Sequence, residues 1–181
     1  MSETAGFKFN HTMLRVKDPK VSLKFYTEVR ASSCLINSTD DSYISKVMGM
    51  ELIQADDHGD FTLYFLAFDH SNGTQSEAEK KQNRLNREGI LELTHNHGTE
   101  NDPSFAGYAS GNTDPGRGFG HIAVSVPDIQ AACARLESLG VPFKKKLTDG
   151  KMRNIAFALD PDGYWIELVP QSMKLHPQAG Q

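Results

Sequence analysis

The sequence has few cysteines, little net charge and no long apolar run, and each of these shortages excludes a class of protein. Two cysteines in 181 residues, Cys34 and Cys133, form no CxxC motif and are too few for a disulfide framework. The formal net charge of −4 gives no electrostatic reason to expect nucleic acid or an anionic membrane surface as a partner. No apolar run approaches the roughly 20 residues of a membrane span, and the polar N-terminus does not resemble a secretion signal. We therefore expect a protein of the reducing cytoplasm, without a nucleic-acid or membrane partner.

The sequence contains an internal repeat, in which one motif occurs twice. His11 opens the first copy (His-Thr-Met-Leu-Arg-Val-Lys-Asp) and His121 opens the second (His-Ile-Ala-Val-Ser-Val-Pro-Asp). In both copies a valine follows the histidine by five positions and an aspartate by seven. The first copy closes on Leu-Glu-Leu around Glu92, and the second on Ile-Glu-Leu around Glu167. Two His and two Glu at equivalent places in a duplicated unit indicate a divalent metal site.

Both copies predict the same order of elements, β-α-β-β-β, and hence an α+β fold of paired βαβββ modules. The modules span residues 8–97 and 119–170; a connecting loop covers 98–118 and a C-terminal tail 171–181. Alternating apolar residues, capping residues and turn signals predict the elements of each module. In the first module we expect strands at 10–17, 50–54, 61–68 and 89–94 and a helix that begins after Asp18. In the second we expect strands at 119–126, 141–144, 153–159 and 164–169 and a helix at 128–139. The polar stretch 69–82 is expected to be a loop leading into a short helix that ends near Arg87.

One segment of the first copy, residues 29–46, has no counterpart in the second. It has neither helical nor strand periodicity, and its removal joins Glu28 directly to Val47-Met-Gly-Met. Its eighteen residues correspond to whole codons, and Val29-Arg30 can be encoded by GTACGT, which resembles an intron donor. We therefore interpret 29–46 as an inserted loop and hypothesise that it is a retained or mis-annotated short intron.

The metal hypothesis depends on where the four residues fall. Glu92 and Glu167 each interrupt an apolar strand, where an ionised carboxylate is costly unless it is paired or bound to a metal. His11 and His121 each begin a strand. A lone strand histidine is more often a surface residue or a satisfied core residue than a ligand, so only the repetition favours ligation. Mixed imidazole and carboxylate donors suit Zn(II), Ni(II), Co(II), Mn(II) or Fe(II).

The other histidines are expected to lie away from this site. His95 should point to the face opposite Glu92, and His97 should lie beyond the strand. His58, His70 and His176 fall in polar or terminal segments and are expected to be solvated.

Basic and amide side chains accompany the predicted metal site. Arg15 shares the face of His11, Asn96 shares the face of Glu92, and Arg117 precedes His121 by four positions. Arginine presents a fork that pairs with carboxylates, so this set suits a ligand that bears carboxylates. The run from Lys144 to Lys146 is either a solvated charge cluster or a cap on an anionic ligand tail. Met152, Ile155, Phe157, Phe65 and Leu63 are expected in the core, with some lining an apolar pocket.

These motifs together resemble the glyoxalase I family (lactoylglutathione lyases) over about residues 10–170. The segments that carry the resemblance are Asn-His-Thr-Met-Leu-Arg-Val-Lys-Asp-Pro from Asn10, Phe-Tyr-Thr from Phe25, Leu-Glu-Leu-Thr-His-Asn from Leu91, Gly-Phe-Gly-His-Ile from Gly118 and Asp-Pro-Asp-Gly-Tyr-Trp-Ile-Glu from Asp160. The resemblance implies the vicinal oxygen chelate fold of paired βαβββ modules. It also implies isomerisation of the hemithioacetal of methylglyoxal and glutathione to S-D-lactoylglutathione through a cis-enediolate.

The same resemblance implies residue roles. The metal ligands would be His11, Glu92, His121 and Glu167, with Glu167 also the catalytic base and Glu92 sharing that work for the other epimer of the substrate. The substrate-binding residues would be Arg15, Asn96, Arg117, Lys145, Gly150, Met152 and Phe157, with Ile155 and Met173 beside the apolar pocket. The long 69–87 segment is similar to the zinc-using members and favours Zn²⁺ over Ni²⁺. A homodimer would share its active sites between the two chains.

Two other functions use the same modules. An Fe(II) dioxygenase would need two His and one Glu, but gives no reason for the fourth ligand or for the Arg, Asn and Lys set. A non-catalytic ligand-sequestering protein has no need of four ligands.

Overall fold

Each copy of the repeat forms a four-stranded mixed sheet of the same topology. The computed structural model describes residues 3–27 and 47–172, and the chain divides into two compact units, one up to Tyr108 and one from Ala109 onward. The inserted loop proposed for 29–46, together with Met173 and His176, lies outside the described residues. In the part of the chain that is described, no helix is long and apolar enough to cross a membrane.

The order of elements agrees with the predicted repeat, and the paired α+β architecture is confirmed. The first unit contains β1 (His11–Arg15), α1 (Pro19–Tyr26), β2 (Glu51–Asp57), β3 (Phe61–Ala67), α2 (Glu77–Gln82), a short 3-10 helix (Arg84–Asn86) and β4 (Ile90–Asn96). The second contains β5 (His121–Val126), α3 (Ile129–Ser138), β6 (Phe143–Lys145), β7 (Ala156–Leu159) and β8 (Trp165–Pro170). The strand orders are β1-β4-β3-β2 and β5-β8-β7-β6, with the first pair of each sheet parallel.

Buried apolar side chains lie opposite the glutamate of each sheet because the strands alternate. In the first sheet Leu14, Leu91 and Leu93 are buried and lie on the face opposite Glu92. In the second, Ile166 and Leu168 are buried opposite Glu167. Each glutamate is therefore directed to the other face of its sheet.

The aspartate of the repeated motif is the N-cap residue of the helix that follows it in both units. The Asp18 side chain accepts a hydrogen bond from the Lys20 N–H at 2.9 Å, and that of Asp128 accepts one from the Ala131 N–H at 3.0 Å. Each cap satisfies an N–H that has no partner within the helix. Asp18 is followed by Pro19 in the first helical position, as expected.

For residues 69–87, the predicted short helix ending near Arg87 is confirmed by the 3-10 helix Arg84–Asn86, but α2 lies inside the stretch that was expected to be a loop. The Ser76 side chain accepts from the Glu79 N–H, and the Glu79 side chain accepts from the Ser76 N–H, which makes a capping box. Lys80 then joins α2 to the sheet: its Nζ lies 2.6 Å from Glu51 Oε2 and 3.0 Å from Asp69 Oδ2. Hydrogen bonds from Ser71, together with that from Lys80, hold the pKa of Asp69 well below its ordinary value.

The strands of the second unit begin later than predicted, with β6 at Phe143 and β7 at Ala156. The turn between β6 and β7 explains why β7 begins late. The Lys145 ammonium donates to the carbonyls of Lys146, Met152 and Ile155 at 3.2, 2.6 and 2.8 Å, which holds the chain in a loop up to Ile155. Met152 is 58% exposed, so its predicted place in the core was wrong, and its alternative place in an apolar pocket stays a prediction.

Hydrogen bonds connect the chain on the two sides of residues 28–46. The Met48 N–H donates to the Phe25 carbonyl at 3.0 Å, and the Met50 N–H donates to the Tyr26 carbonyl at 2.8 Å. Thr27 and Met50 form an isolated parallel bridge. The end of α1 and the approach to β2 therefore lie side by side.

Replacing Ile166 with alanine is expected to lower the free energy of unfolding of the second unit by about 2–5 kcal/mol, because the side chain is fully buried. Trp165, the single tryptophan of the sequence, reports on this unit by fluorescence during urea denaturation. The matched control is Leu139→Ala at a partly exposed leucine at the end of α3, which should cost less than about 1 kcal/mol. Equal costs for the two variants would contradict this assignment of the core.

Candidate metal centre

One histidine–glutamate pair in the first unit has the same geometry as a pair in the second. His11 Nε2 lies 3.2 Å from Glu92 Oε2, and His121 Nε2 lies 3.2 Å from Glu167 Oε2. As predicted, each histidine is the first residue of its strand.

The register of the parallel strands produces this match. His11 is paired with Ile90 and His121 with Trp165, so each glutamate stands two residues beyond the partner of its histidine. Residues two apart on a strand share a face, and diagonal neighbours on adjacent strands lie within reach of long side chains. The repeat therefore positions the imidazole and the carboxylate on one face in each unit.

The two pairs also have similar surroundings. Both imidazoles are 41% exposed, whereas the Glu92 and Glu167 side chains are only 12% and 16% exposed. A phenylalanine lies beside each histidine at the register position opposite the glutamate: Phe65 in the first unit, with ring centroids 6.2 Å apart, and Phe157 in the second, at 5.3 Å. Phe157 was predicted at the site, whereas its counterpart Phe65 was predicted in the core or lining an apolar pocket; the repeat is the signal that identifies Phe65 as the equivalent residue.

The chemistry and spacing of the donors fit a divalent metal. Imidazole nitrogen and carboxylate oxygen bind Zn²⁺ at about 2.0–2.2 Å, so two neighbouring ligands of one tetrahedral ion stand roughly 3.3–3.6 Å apart. The separation of 3.2 Å within each pair is close to this range. Among residues 3–27 and 47–172, no group of three or more His, Cys, Asp or Glu side chains comes together as a metal site. Each unit thus supplies two donors.

In the first unit, Arg15 and Asn96 lie on the same sheet face as the donor pair. Arg15 is the last residue of β1 and is paired with Thr94, two residues beyond Glu92. The Asn96 amide donates to the Tyr108 hydroxyl at 2.8 Å. Both side chains are therefore placed along the strands that carry His11 and Glu92.

The remaining predicted substrate residues belong to the second unit. Arg117 pairs with Asp114 at 2.9 Å, and both side chains are largely exposed. Gly150, in the turn organised by Lys145, has a φ of +66°, a conformation that glycine adopts without strain. Of this set, Phe157 is the residue that contacts the donor pair, whereas Met152 lies in the exposed part of the turn.

The other histidines are occupied elsewhere or exposed, as expected. His95 is buried, and its Nε2 lies 2.8 Å from Glu100 Oε2. His97 follows the last residue of β4 and contacts the Thr62 hydroxyl at 2.8 Å. His58 and His70 are exposed.

Comparison with known proteins gives a consistent result. The sequence matches the glyoxalase/bleomycin resistance protein/dioxygenase superfamily over residues 42–168. It is 50% identical over 169 residues to the lactoylglutathione lyase of Pseudomonas putida, covering 92% of this chain and 86% of the relative. It is also 50% identical over 173 residues to that of Schizosaccharomyces pombe, covering 94% of this chain but 50% of the relative. The chain therefore spans half the length of the fission-yeast protein and most of the length of the bacterial one.

The fold is similar to that of a solved glyoxalase I. The structure of the trypanothione-dependent enzyme of Leishmania major superposes with a TM-score of 0.57 at 26% identity, covering 91% of this chain and 87% of that one. The fold, the repeated donor pair and the identity to the bacterial enzyme agree with one another. The chain belongs to the glyoxalase/bleomycin resistance protein/dioxygenase superfamily and, within it, to the lactoylglutathione lyases.

Proposed function

We propose that this chain isomerises the hemithioacetal of methylglyoxal and glutathione to S-D-lactoylglutathione, and so serves methylglyoxal detoxification. The observation that carries the proposal is the repeated His–Glu pair, in a chain that is 50% identical to a lactoylglutathione lyase over most of both sequences. The Fe(II) dioxygenase and the ligand-sequestering protein are not favoured, because the relatives at 44–50% identity are named lactoylglutathione lyase or glyoxalase I.

The proposed cofactor is one divalent metal ion per site, held by His11, Glu92, His121 and Glu167. The 3.2 Å spacing within each pair and the mixed nitrogen and oxygen donors support this assignment. We favour Zn²⁺, with Ni²⁺ as the alternative, because the long 69–87 segment is similar to the zinc-using class. When bound, the metal acts as a Lewis acid that polarises the substrate oxygens.

In the proposed reaction, Glu167 is the base. One of its carboxylate oxygens takes the proton from C1 of the hemithioacetal, and the proton is returned to C2. Glu92, at the same register position of the first unit, serves the other epimer. The low exposure of both carboxylates suits this role because it limits the access of water to the proton.

Glutathione provides carboxylates for the basic and amide side chains of the proposed site. Arg15, Asn96, Arg117 and Lys145 would bind the two ends of the tripeptide. The pair of Arg117 with Asp114 is exposed, and such pairs contribute little, so Arg117 is available to a ligand carboxylate. Gly150 would offer its backbone, and Met152 and Phe157 an apolar contact for the substrate.

We further propose a cytoplasmic homodimer. Each described unit supplies only two of the four donors. A homodimer in which the first unit of one chain meets the second unit of its partner would complete two equivalent centres.

The test combines metal analysis with one assay. The purified protein, with its metal content measured, is mixed with methylglyoxal and glutathione, and the thioester absorbance is followed. We expect thioester to form in proportion to the metal content. Oxygen consumption without thioester would indicate the dioxygenase, and tight binding of the hemithioacetal without turnover would indicate the sequestering protein; either result would overturn the proposal.

A further inference from the structure

Asn10, the residue just before β1, makes three side-chain contacts, one of them to the histidine of the first donor pair. Its Nδ2 donates to the backbone carbonyls of Arg84 and Arg87 at 2.9 and 2.8 Å. Its Oδ1 lies 2.8 Å from His11 Nδ1. The amide therefore joins the start of β1 to the 3-10 helix segment that precedes β4.

These contacts fix the orientation of the amide and, through it, the tautomer of the imidazole. A backbone carbonyl can only accept a hydrogen bond, so the group that faces Arg84 and Arg87 must be the NH₂. The oxygen of Asn10 then faces His11 and must accept, which requires a proton on Nδ1. In the neutral ring the lone pair is consequently on Nε2, the atom that lies 3.2 Å from Glu92 Oε2.

We propose that Asn10 is a positioning residue that holds His11 in the Nδ1–H tautomer and thereby directs the Nε2 lone pair to the metal. The inference rests on the proposed function in that His11 is taken as a metal ligand. An acceptor behind a metal-bound histidine orients the ring and makes it more basic, and its loss typically weakens metal binding by about 10–100-fold.

The second unit has no equivalent of Asn10, because the residue before His121 is Gly120, which has no side chain. The Gly120 carbonyl instead accepts from the Asn112 amide at 2.6 Å. The two histidines of the repeat therefore have different supports, and the effect of Asn10 is confined to His11.

The experiment compares Asn10→Ala and Asn10→Asp with the wild-type protein. Asn10→Ala removes all three contacts, whereas Asn10→Asp keeps the acceptor for Nδ1–H and loses both donations to the carbonyls. Lys8→Met is the matched control, since Lys8 Nζ donates to the Asn86 carbonyl at 2.8 Å and ties the same two segments without touching His11. The readouts are the tautomer of the neutral His11 ring in the metal-free protein, by nitrogen-15 NMR, and the dissociation constant for Zn²⁺.

We expect Nδ1–H on His11 in the wild-type and Asn10→Asp proteins, and a shift toward Nε2–H, which can donate to Glu92 Oε2, in Asn10→Ala. The Zn²⁺ dissociation constant should rise about 10–100-fold in Asn10→Ala, and stay at or below the wild-type value in Asn10→Asp and near it in Lys8→Met. An Nε2–H tautomer in the wild-type protein, or unchanged Zn²⁺ affinity in Asn10→Ala, would overturn the inference. If the proposed function is wrong, the metal-loaded wild-type protein will show no turnover. The tautomer and affinity measurements do not depend on turnover, so the two failures can be told apart.

Discussion

Replacing Glu167 with glutamine is expected to lower kcat by roughly 10²–10⁴-fold, the usual contribution of a positioned general base. The amide has nearly the same shape as the carboxylate but cannot take the C1 proton. Its carbonyl oxygen remains a donor atom for a metal, so the metal content should fall much less than the turnover. The measurement is kcat at saturating hemithioacetal, with metal content determined on the same sample.

Glu92→Gln is the matched control, because Glu92 stands at the same register position beside an equivalent histidine. If Glu167 is the base for the preferred epimer, its variant should lose more turnover than the Glu92 variant at equal metal content. Near wild-type turnover in Glu167→Gln would contradict the assignment of the base. A parallel loss of metal and turnover would show that Glu167 acts mainly as a ligand.

Removing the metal with a chelator is expected to lower activity by at least about 10³-fold, since Lewis-acid stabilisation of charge supplies several kcal/mol of the barrier reduction. The protein should remain folded, because both units bury many apolar side chains whose packing does not depend on a metal. Activity is measured after dialysis, with the residual metal quantified and the fold monitored by circular dichroism.

Adding metals back then separates the two candidate cofactors. Restoration by one equivalent of Zn²⁺ per chain, with little recovery in Ni²⁺, is the expected outcome. Full activity in metal-free, folded protein would contradict a metal-dependent reaction. The control is His58→Ala at an exposed histidine outside the proposed site, which should leave the stoichiometry of metal unchanged.

The fold and the location of the donor pairs could be predicted because they depend on local patterns that occur twice. Strand alternation predicted that Arg15 shares the face of His11 and that Asn96 shares the face of Glu92, and the aspartate of each motif marked the start of a helix. The histidines were correctly expected at the beginning of strands. From a single copy of the motif, each of these predictions would have been ambiguous.

The features that were not predicted are of two kinds. One kind has a local sequence signal that was not used, and the other depends on contacts between residues distant in the sequence. The Ser76–Glu79 capping box is a local signal that identifies the start of α2. By contrast, the three carbonyl contacts of Lys145 exist only once the turn has formed, so the exposure of Met152 could not be read from its hydrophobicity. The role proposed for Asn10 likewise depends on carbonyls more than seventy positions away.

The hydrogen bonds from Met48 to Phe25 and from Met50 to Tyr26 have a consequence for how the gene can vary. These bonds hold the two chain ends side by side at the base of the proposed insertion, and the entropy cost of closing a loop grows only slowly with its length. If 29–46 is a retained intron, we expect the protein without it to keep both hydrogen bonds, because their donors and acceptors lie outside the segment. Splicing at this position would then change the length of the protein without changing the His11–Glu92 pair.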